Sequence, residues 1–154
     1  MIKIPNFKNV EIKNILFDYN GTLAKNGKVG KKRRSLLQKI CKQYNVYVIT
    51  ADTFGSVHEE LKDFDLEVVV LTSDNHTKEK EIFLKSLDRE RTIALGNGNN
   101  DVDMLKSAVI SIAILGDEGC AKETLLASDI VCKSIIDAMG LLLYPKRLTA
   151  TLRR

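Results

Sequence analysis

The stretch NILFDYNGT, residues 14–22, sets the reading of the whole chain. Its first part, Asn14–Asp18, is a short apolar run ending on a carboxylate; an Asn-Gly turn with a flanking threonine follows. A short apolar run closed by turn residues is the pattern of a strand buried on both faces, as in a parallel sheet. The pattern recurs at Val46–Thr50, Glu67–Leu71, Thr92–Leu95, Ile110–Ile114 and Ile130–Cys132. Helical patterns lie between. Lys32–Tyr44 puts Leu36, Leu37, Ile40 and Cys41 on one stripe, Phe54–Phe64 repeats Val57, Leu61 and Phe64, and Lys80–Leu87 repeats Phe83, Leu84 and Leu87. Asp101–Ser107, Cys120–Ala127 and Ser134–Leu143 complete the series. Strand–helix alternation at this pitch predicts an α/β fold, a three-layer, doubly wound parallel sheet. Residues Ile2–Ile12 are expected to add a short ribbon at its edge. With no internal repeat, linker or shift in composition, the chain reads as one domain spanning 1–154.

A chain of 154 residues is long enough to bury a core of its own. No apolar run approaches the ~20 residues of a membrane-spanning helix. The opening MIKIPNFKNVEIKN is broken by charge and by Pro5, which does not suit a signal peptide, so a cytoplasmic location is expected. Cys41, Cys120 and Cys132 are widely spaced, as free thiols of a reducing compartment would be. His58 and His76 are too isolated for a zinc site. The net charge of +4 concentrates in Lys25–Arg34 and in the tail PKRLTATLRR. Such clusters attract phosphate-bearing ligands. Nucleic acid is disfavoured, because there is no tryptophan and no aromatic interleaving for base stacking.

In an open parallel sheet, ligands bind beyond the carboxyl ends of the strands. The polar residues that follow each apolar run therefore decide the chemistry. Asp18, Asn20 and Thr22 follow the first run, Thr50 and Asp52 the second, and GNGNND (96–101) the fourth. A strand-end carboxylate beside a glycine-containing turn suits nucleophilic attack on phosphorus, with the amides near Gly21 and the Thr22 hydroxyl cradling the transferred oxygens. Thr50 and the following amide, that of Ala51, can hold another phosphoryl oxygen. GNGNND lacks the third glycine of a dinucleotide-binding turn and follows a late strand. Its Asn97, Asn100 and Asp101 instead supply hard oxygen donors of the kind Mg²⁺ takes, with Asp18 across the rim. The same residues read more plainly as a tight turn and a helix cap. A transition state that spreads negative charge also needs a cation, and Lys78 and Lys80 in HTKEKEIFLKSL are the candidates.

Taken in order, DYNGT (18–22), Thr50, Lys78 or Lys80, and GNGNND with VDML (96–105) resemble the haloacid dehalogenase-like phosphohydrolases. The stretch AVISIAILGDEGCAKETLLASDIVCKSI resembles the phosphorylation domain of P-type ATPases, so the likeness is nearest to the small soluble P-type ATPase-like members. The resemblance implies a Rossmann-like core acting on a phosphorylated substrate, small or large, with Mg²⁺ as cofactor. It implies Asp18 as phosphoryl acceptor and metal ligand, Asn20 as a further ligand through its backbone carbonyl, Thr50 as phosphoryl-oxygen holder, and Asn97 and Asp101 as the rest of the metal site. Counting back from the apolar end of its helix selects Lys80 as the neutralising lysine, and counting back from Gly96 without a gap selects Lys78; Lys80 is preferred.

Two positions depart from the family pattern. Asn20 stands where dedicated phosphatases carry the acid–base aspartate, and Asn97 where the family usually has a metal-binding aspartate. An amide can neither protonate a leaving group nor activate water, a contribution of ~10²–10⁴-fold. The expectation is slow turnover or a persistent phospho-aspartate; the alternative is a binding or regulatory module that keeps the fold without turnover. The spacings leave no room for a cap domain. By resemblance, the site should stand open to large substrates or be covered by another subunit of a homo-oligomer.

Overall fold

The computed structural model describes residues 1–52 and 55–154. A two-stranded antiparallel ribbon, β1 (Ile2–Ile4) and β2 (Lys8–Val10), precedes β3 (Asn14–Asp18). Then follow α1 (Lys31–Gln43), β4 (Asn45–Thr50), α2 (Val57–Leu61), β5 (Glu67–Val70), α3 (His76–Ser86), β6 (Thr92–Gly96), α4 (Val102–Ser107), β7 (Ile110–Ile114), α5 (Lys122–Ala127), β8 (Ile130–Cys132), α6 (Ile135–Leu143) and α7 (Pro145–Leu152). Strands β3 to β8 form one six-stranded sheet in the order β5-β4-β3-β6-β7-β8, with parallel pairing throughout.

Strand alternation sorts the core into two layers. Ile15 and Phe17 of β3, Val46 and Val48 of β4, and Ile93 and Leu95 of β6 face one side, where Leu37 and Ile40 of α1, Val57 and Leu61 of α2, and Ala138 and Met139 of α6 meet them. Leu16, Ile49 and Ala94 face the other side, against Leu84 of α3 and Met104 and Leu105 of α4. With both faces covered, continuous apolar runs are what the strands require. The doubly wound, three-layer α/β architecture read from the sequence is the architecture found.

Three details differ from expectation. The ribbon of residues 2–12 does not extend the edge of the sheet; it forms a separate two-stranded sheet that packs against α7. The basic tail forms that helix, because Pro145 opens its first turn and Leu148 and Leu152 bury on one stripe. The helix expected over Phe54–Phe64 is shorter, spanning Val57–Leu61, and Phe54 lies outside the described residues. Among the described residues the connections hold only a flap before α1, and α2 with β5 before α3, with no inserted cap.

Candidate active site

The sheet order reverses direction between β3 and β6, the neighbouring strands from which the chain winds outward in opposite senses. A crevice opens at such a switch point beyond the strand ends. Asp18 ends β3, and Asn97 follows directly after β6. The fold therefore places the two sequence motifs side by side.

The turn after Asp18 is compact. The N–H groups of Thr22 and Ala24 both donate to the Tyr19 carbonyl, at 3.2 and 2.8 Å, and the Gly21 N–H donates to the Ala24 carbonyl at 2.9 Å. Gly21 has φ +79°, and a Cβ there would collide with the Asn97 side-chain amide, so the turn requires glycine twice over. The buried Tyr19 ring fixes the flap above, its hydroxyl donating to the Gly27 carbonyl at 2.8 Å.

Lys80 is 2% exposed and sits between two carboxylates. Its Nζ lies 2.9 Å from Asp18 Oδ1, 2.8 Å from Asp101 Oδ1 and 3.1 Å from Asn100 Oδ1. Of the two lysines left open by spacing, Lys80 turns inward; Lys78 stays on the surface and pairs with Glu81 at 2.8 Å. The physical reason is where α3 begins. Asn75 caps it by accepting from the Lys78 N–H, so Lys78 lies in the solvated first turn and Lys80 in the turn that faces the sheet.

Two buried carboxylates and one ammonium leave the cluster with excess negative charge. Burial, and then the charge of Asp101, push the Asp18 carboxyl up to about 7, while Lys80 and Thr22 hold it from rising further. Burial weakens the hold of Lys80 on its proton, but Asp18 and Asp101 outweigh it and raise its affinity for that proton. Asp101 is fully buried, and both its oxygens are engaged: Oδ1 with Lys80, and Oδ2 with the N–H groups of Asn97 and Gly98, each at 3.0 Å. As placed, it serves Lys80 and the loop.

Thr22 links the two motifs, its hydroxyl lying 3.1 Å from Asp18 Oδ2 and 3.2 Å from Asn97 Oδ1. Asn97 is further held by its Nδ2, which donates to the Gly119 carbonyl at 3.3 Å. Thr50 Oγ1 accepts from the Asp52 N–H at 2.9 Å, which leaves its own proton free for an incoming oxygen. Asp18, Asn20, Thr50, Ala51, Lys80 and Asn97 line one cavity of about 230 Å³. Gly21 lies on the far side of the turn, bordering an adjoining cavity of about 220 Å³, and Thr22 reaches the site through its hydroxyl.

Gly98, Asn100 and Glu118 also line the wall, and of these the sequence reading assigns no role to Gly98 and Glu118. Asn100 was weighed only as an oxygen donor or cap, and it accepts from Lys80 instead. Glu118 follows β7 at the same rim, so the rule that found Thr50 and Asn97 would have found it had it been applied to the fifth core strand. A larger hollow of about 550 Å³ lies at the opposite ends of β4 and β5, near Asn45 and Glu67, away from these groups.

The site's donors are oxygens. Among the described residues there is no group of three or more His, Cys, Asp or Glu side chains arranged for a metal ion. What the site offers is the Asp18 carboxylate, the Asn97 amide oxygen and Asn20, whose buried Oδ1 has no hydrogen-bond partner among the described residues. An orphaned buried acceptor beside a carboxylate fits a hard cation that also keeps water ligands.

Comparison with known proteins agrees with this fold. The sequence model of the haloacid dehalogenase-like hydrolases matches residues 79–134, which include Lys80 and the GNGNND loop. An uncharacterized protein of Methanocaldococcus jannaschii is 51% identical over 69 residues, covering 45% of this chain and 74% of that protein. Among solved structures, the 3-deoxy-D-manno-octulosonate 8-phosphate phosphatase of Moraxella catarrhalis, in complex with magnesium, phosphate and KDO, superposes with a TM-score of 0.71. It is 16% identical and covers 92% of this chain and 94% of its own. The cobalt-bound deoxy-D-mannose-octulosonate 8-phosphate phosphatase of Haemophilus influenzae gives 0.72 at 13% identity, with 94% of each chain covered. Identities this low establish shared architecture, not shared substrate.

Proposed function

We propose, since the chain belongs to the haloacid dehalogenase-like hydrolase family, that residues 1–154 form one catalytic core whose Asp18 accepts a phosphoryl group and passes it to water. The observation that carries this reading is the Asp18 carboxylate at the switch point, 2.9 Å from the buried Lys80 ammonium and 3.1 Å from the Thr22 hydroxyl.

In the first step an Asp18 oxygen attacks phosphorus, and the bond to the leaving oxygen breaks with its electron pair. Lys80 faces the negative charge spread over the transferring group, and the free Thr50 proton and the Ala51 amide meet its oxygens. Mg²⁺ is the expected cofactor: Asp18, Asn20 and Asn97 would hold it, and it would neutralise phosphoryl charge. The neutral Asn97 and the engaged Asp101 make this a weaker cation site than one with two free carboxylates.

The Asn20 amide is too weak an acid to protonate the departing oxygen. The substrates that suit the site are therefore those whose leaving group departs as a weak base, a phosphoanhydride or an acyl phosphate rather than an alkyl ester. This is also the chemistry of a soluble P-type ATPase-like protein. Phosphate release from acetyl phosphate or ATP with Mg²⁺, compared between wild type and Asp18→Asn, tests the proposal; equal release by both proteins would sink it. A second reading, a phosphate-binding module without turnover, is favoured by Asn20 and Asn97 together. It predicts that neither protein forms a phospho-aspartate.

A further inference from the structure

Transfer to Asp18 needs no base, but release does, and Asn20 cannot take a proton from water. We propose that Glu118 is the base that activates water against phospho-Asp18, an inference that rests on the reading of Asp18 as phosphoryl acceptor. Glu118 lines the same cavity as Asp18, Asn20, Thr50 and Asn97.

The turn that carries it is tied to the site. Within Gly116–Gly119 the N–H of Gly119 donates to the Gly116 carbonyl at 2.9 Å, with Gly119 at φ +75°. Asn97 holds the C-terminal end of the turn twice: its Nδ2 donates to the Gly119 carbonyl at 3.3 Å, and its own carbonyl accepts from the Ala121 N–H at 2.8 Å. The residue that also meets Thr22 thus ties down the backbone just after Glu118.

The other nearby carboxylates are committed. Asp18 bonds Lys80 and Thr22, and Asp101 bonds Lys80 and two backbone N–H groups. Asp117 pairs with Lys25 at 3.3 Å. Glu118 is exposed and has no ion-pair or side-chain hydrogen-bond partner among the described residues. It is the one carboxylate on the cavity wall with both a free oxygen and access to water.

The step balances without a further reactant. Glu118 takes a proton from water as the water oxygen bonds to phosphorus. The phosphorus–oxygen bond to Asp18 breaks, its electron pair returns to the carboxylate, and inorganic phosphate leaves. The proton then passes from Glu118 to solvent.

Acid-quench trapping with acetyl phosphate as donor and saturating Mg²⁺ separates formation of the phosphoenzyme from its decay. Glu118→Gln should accumulate phospho-Asp18 and slow its decay by ~100-fold. Adding Asn20→Asp to that variant should restore decay, and formate should restore it to Glu118→Ala. Decay in Glu118→Gln at the wild-type rate would overturn the proposal. So would a variant whose only defect is a raised Mg²⁺ requirement, which would make Glu118 a metal ligand instead. If the wild-type protein forms no phosphoenzyme at all, and Asp18→Asn releases phosphate as fast, the underlying reading of Asp18 fails and takes this one with it.

Discussion

Lys80 sets one positive charge between two buried carboxylates, and that arrangement makes the residue costly to replace. Lys80→Met would leave Asp18 and Asp101 buried without a cation, a change that typically costs about 3–5 kcal/mol. Urea unfolding should show a loss of that order, and an unchanged midpoint would mean that the triad does not hold. The same crowding sets a pH dependence. The Asp18 carboxyl sits at about 7 in the folded protein against an ordinary 3.8, so the folded state binds this proton more tightly than the unfolded chain. Its contribution to stability is full below about 3.8 and is lost as pH rises through about 7. Metal-free wild-type protein should therefore lose stability from pH 5 to pH 8 relative to Asp18→Asn; parallel curves would contradict the assignment. At Asn20 the expectation is a change of substrate. Asn20→Asp should gain activity on alkyl phosphates by ~10²–10⁴-fold while acyl phosphates gain far less, because only the former need a proton on departure. Equal gains on both would place the effect elsewhere.

At the scale of single elements, α1 carries an unusual load. Its first turn holds Lys31, Lys32, Arg33 and Arg34, with no acidic residue and no side-chain cap at Gly30. Cations there oppose the helix dipole. Arg34 is offset by Glu60 at 3.5 Å, but Lys31 and Lys32 are exposed. Replacing both with Glu should stabilise the protein at low salt by ~0.3–1 kcal/mol per site, read as a higher melting temperature; a fall would show that the basic turn makes contacts of its own. The elements themselves were legible wherever packing and pattern agreed. Asn14–Asp18 and Ile110–Ile114 are strands with the bounds the apolar runs gave, because burial on both faces leaves the pattern no competing reading. The start of α3 was hidden, since its first turn is polar and capped by Asn75 rather than marked by apolar spacing. The tail helix α7 was hidden too: a basic surface masked Leu148 and Leu152, whose burial depends on the distant β1.

Across the whole molecule, the chemistry depends on contacts that no local pattern contains. Asp18 and Lys80 are 62 positions apart, and Thr22 and Asn97 are 75 apart. They meet because the strand order reverses between β3 and β6, a property of topology rather than of either motif. The rim rule brought Asp18, Thr50 and Asn97 together from sequence, since strand ends in a parallel sheet share one edge. The choice between Lys80 and Lys78, and the engagement of Asp101 with the loop rather than with open space, needed the helix phase and the packed loop. Among the described residues no helix is long and apolar enough to cross a membrane, and the Asp18 cavity opens at the sheet edge without an inserted cap. The central claim is that this edge forms a phospho-aspartate. Its most direct test is peptide mass spectrometry of acid-quenched protein after incubation with acetyl phosphate and Mg²⁺. The account predicts a phosphoryl group on the peptide carrying Asp18, absent from Asp18→Asn; an unmodified Asp18 in protein that still releases phosphate would contradict it.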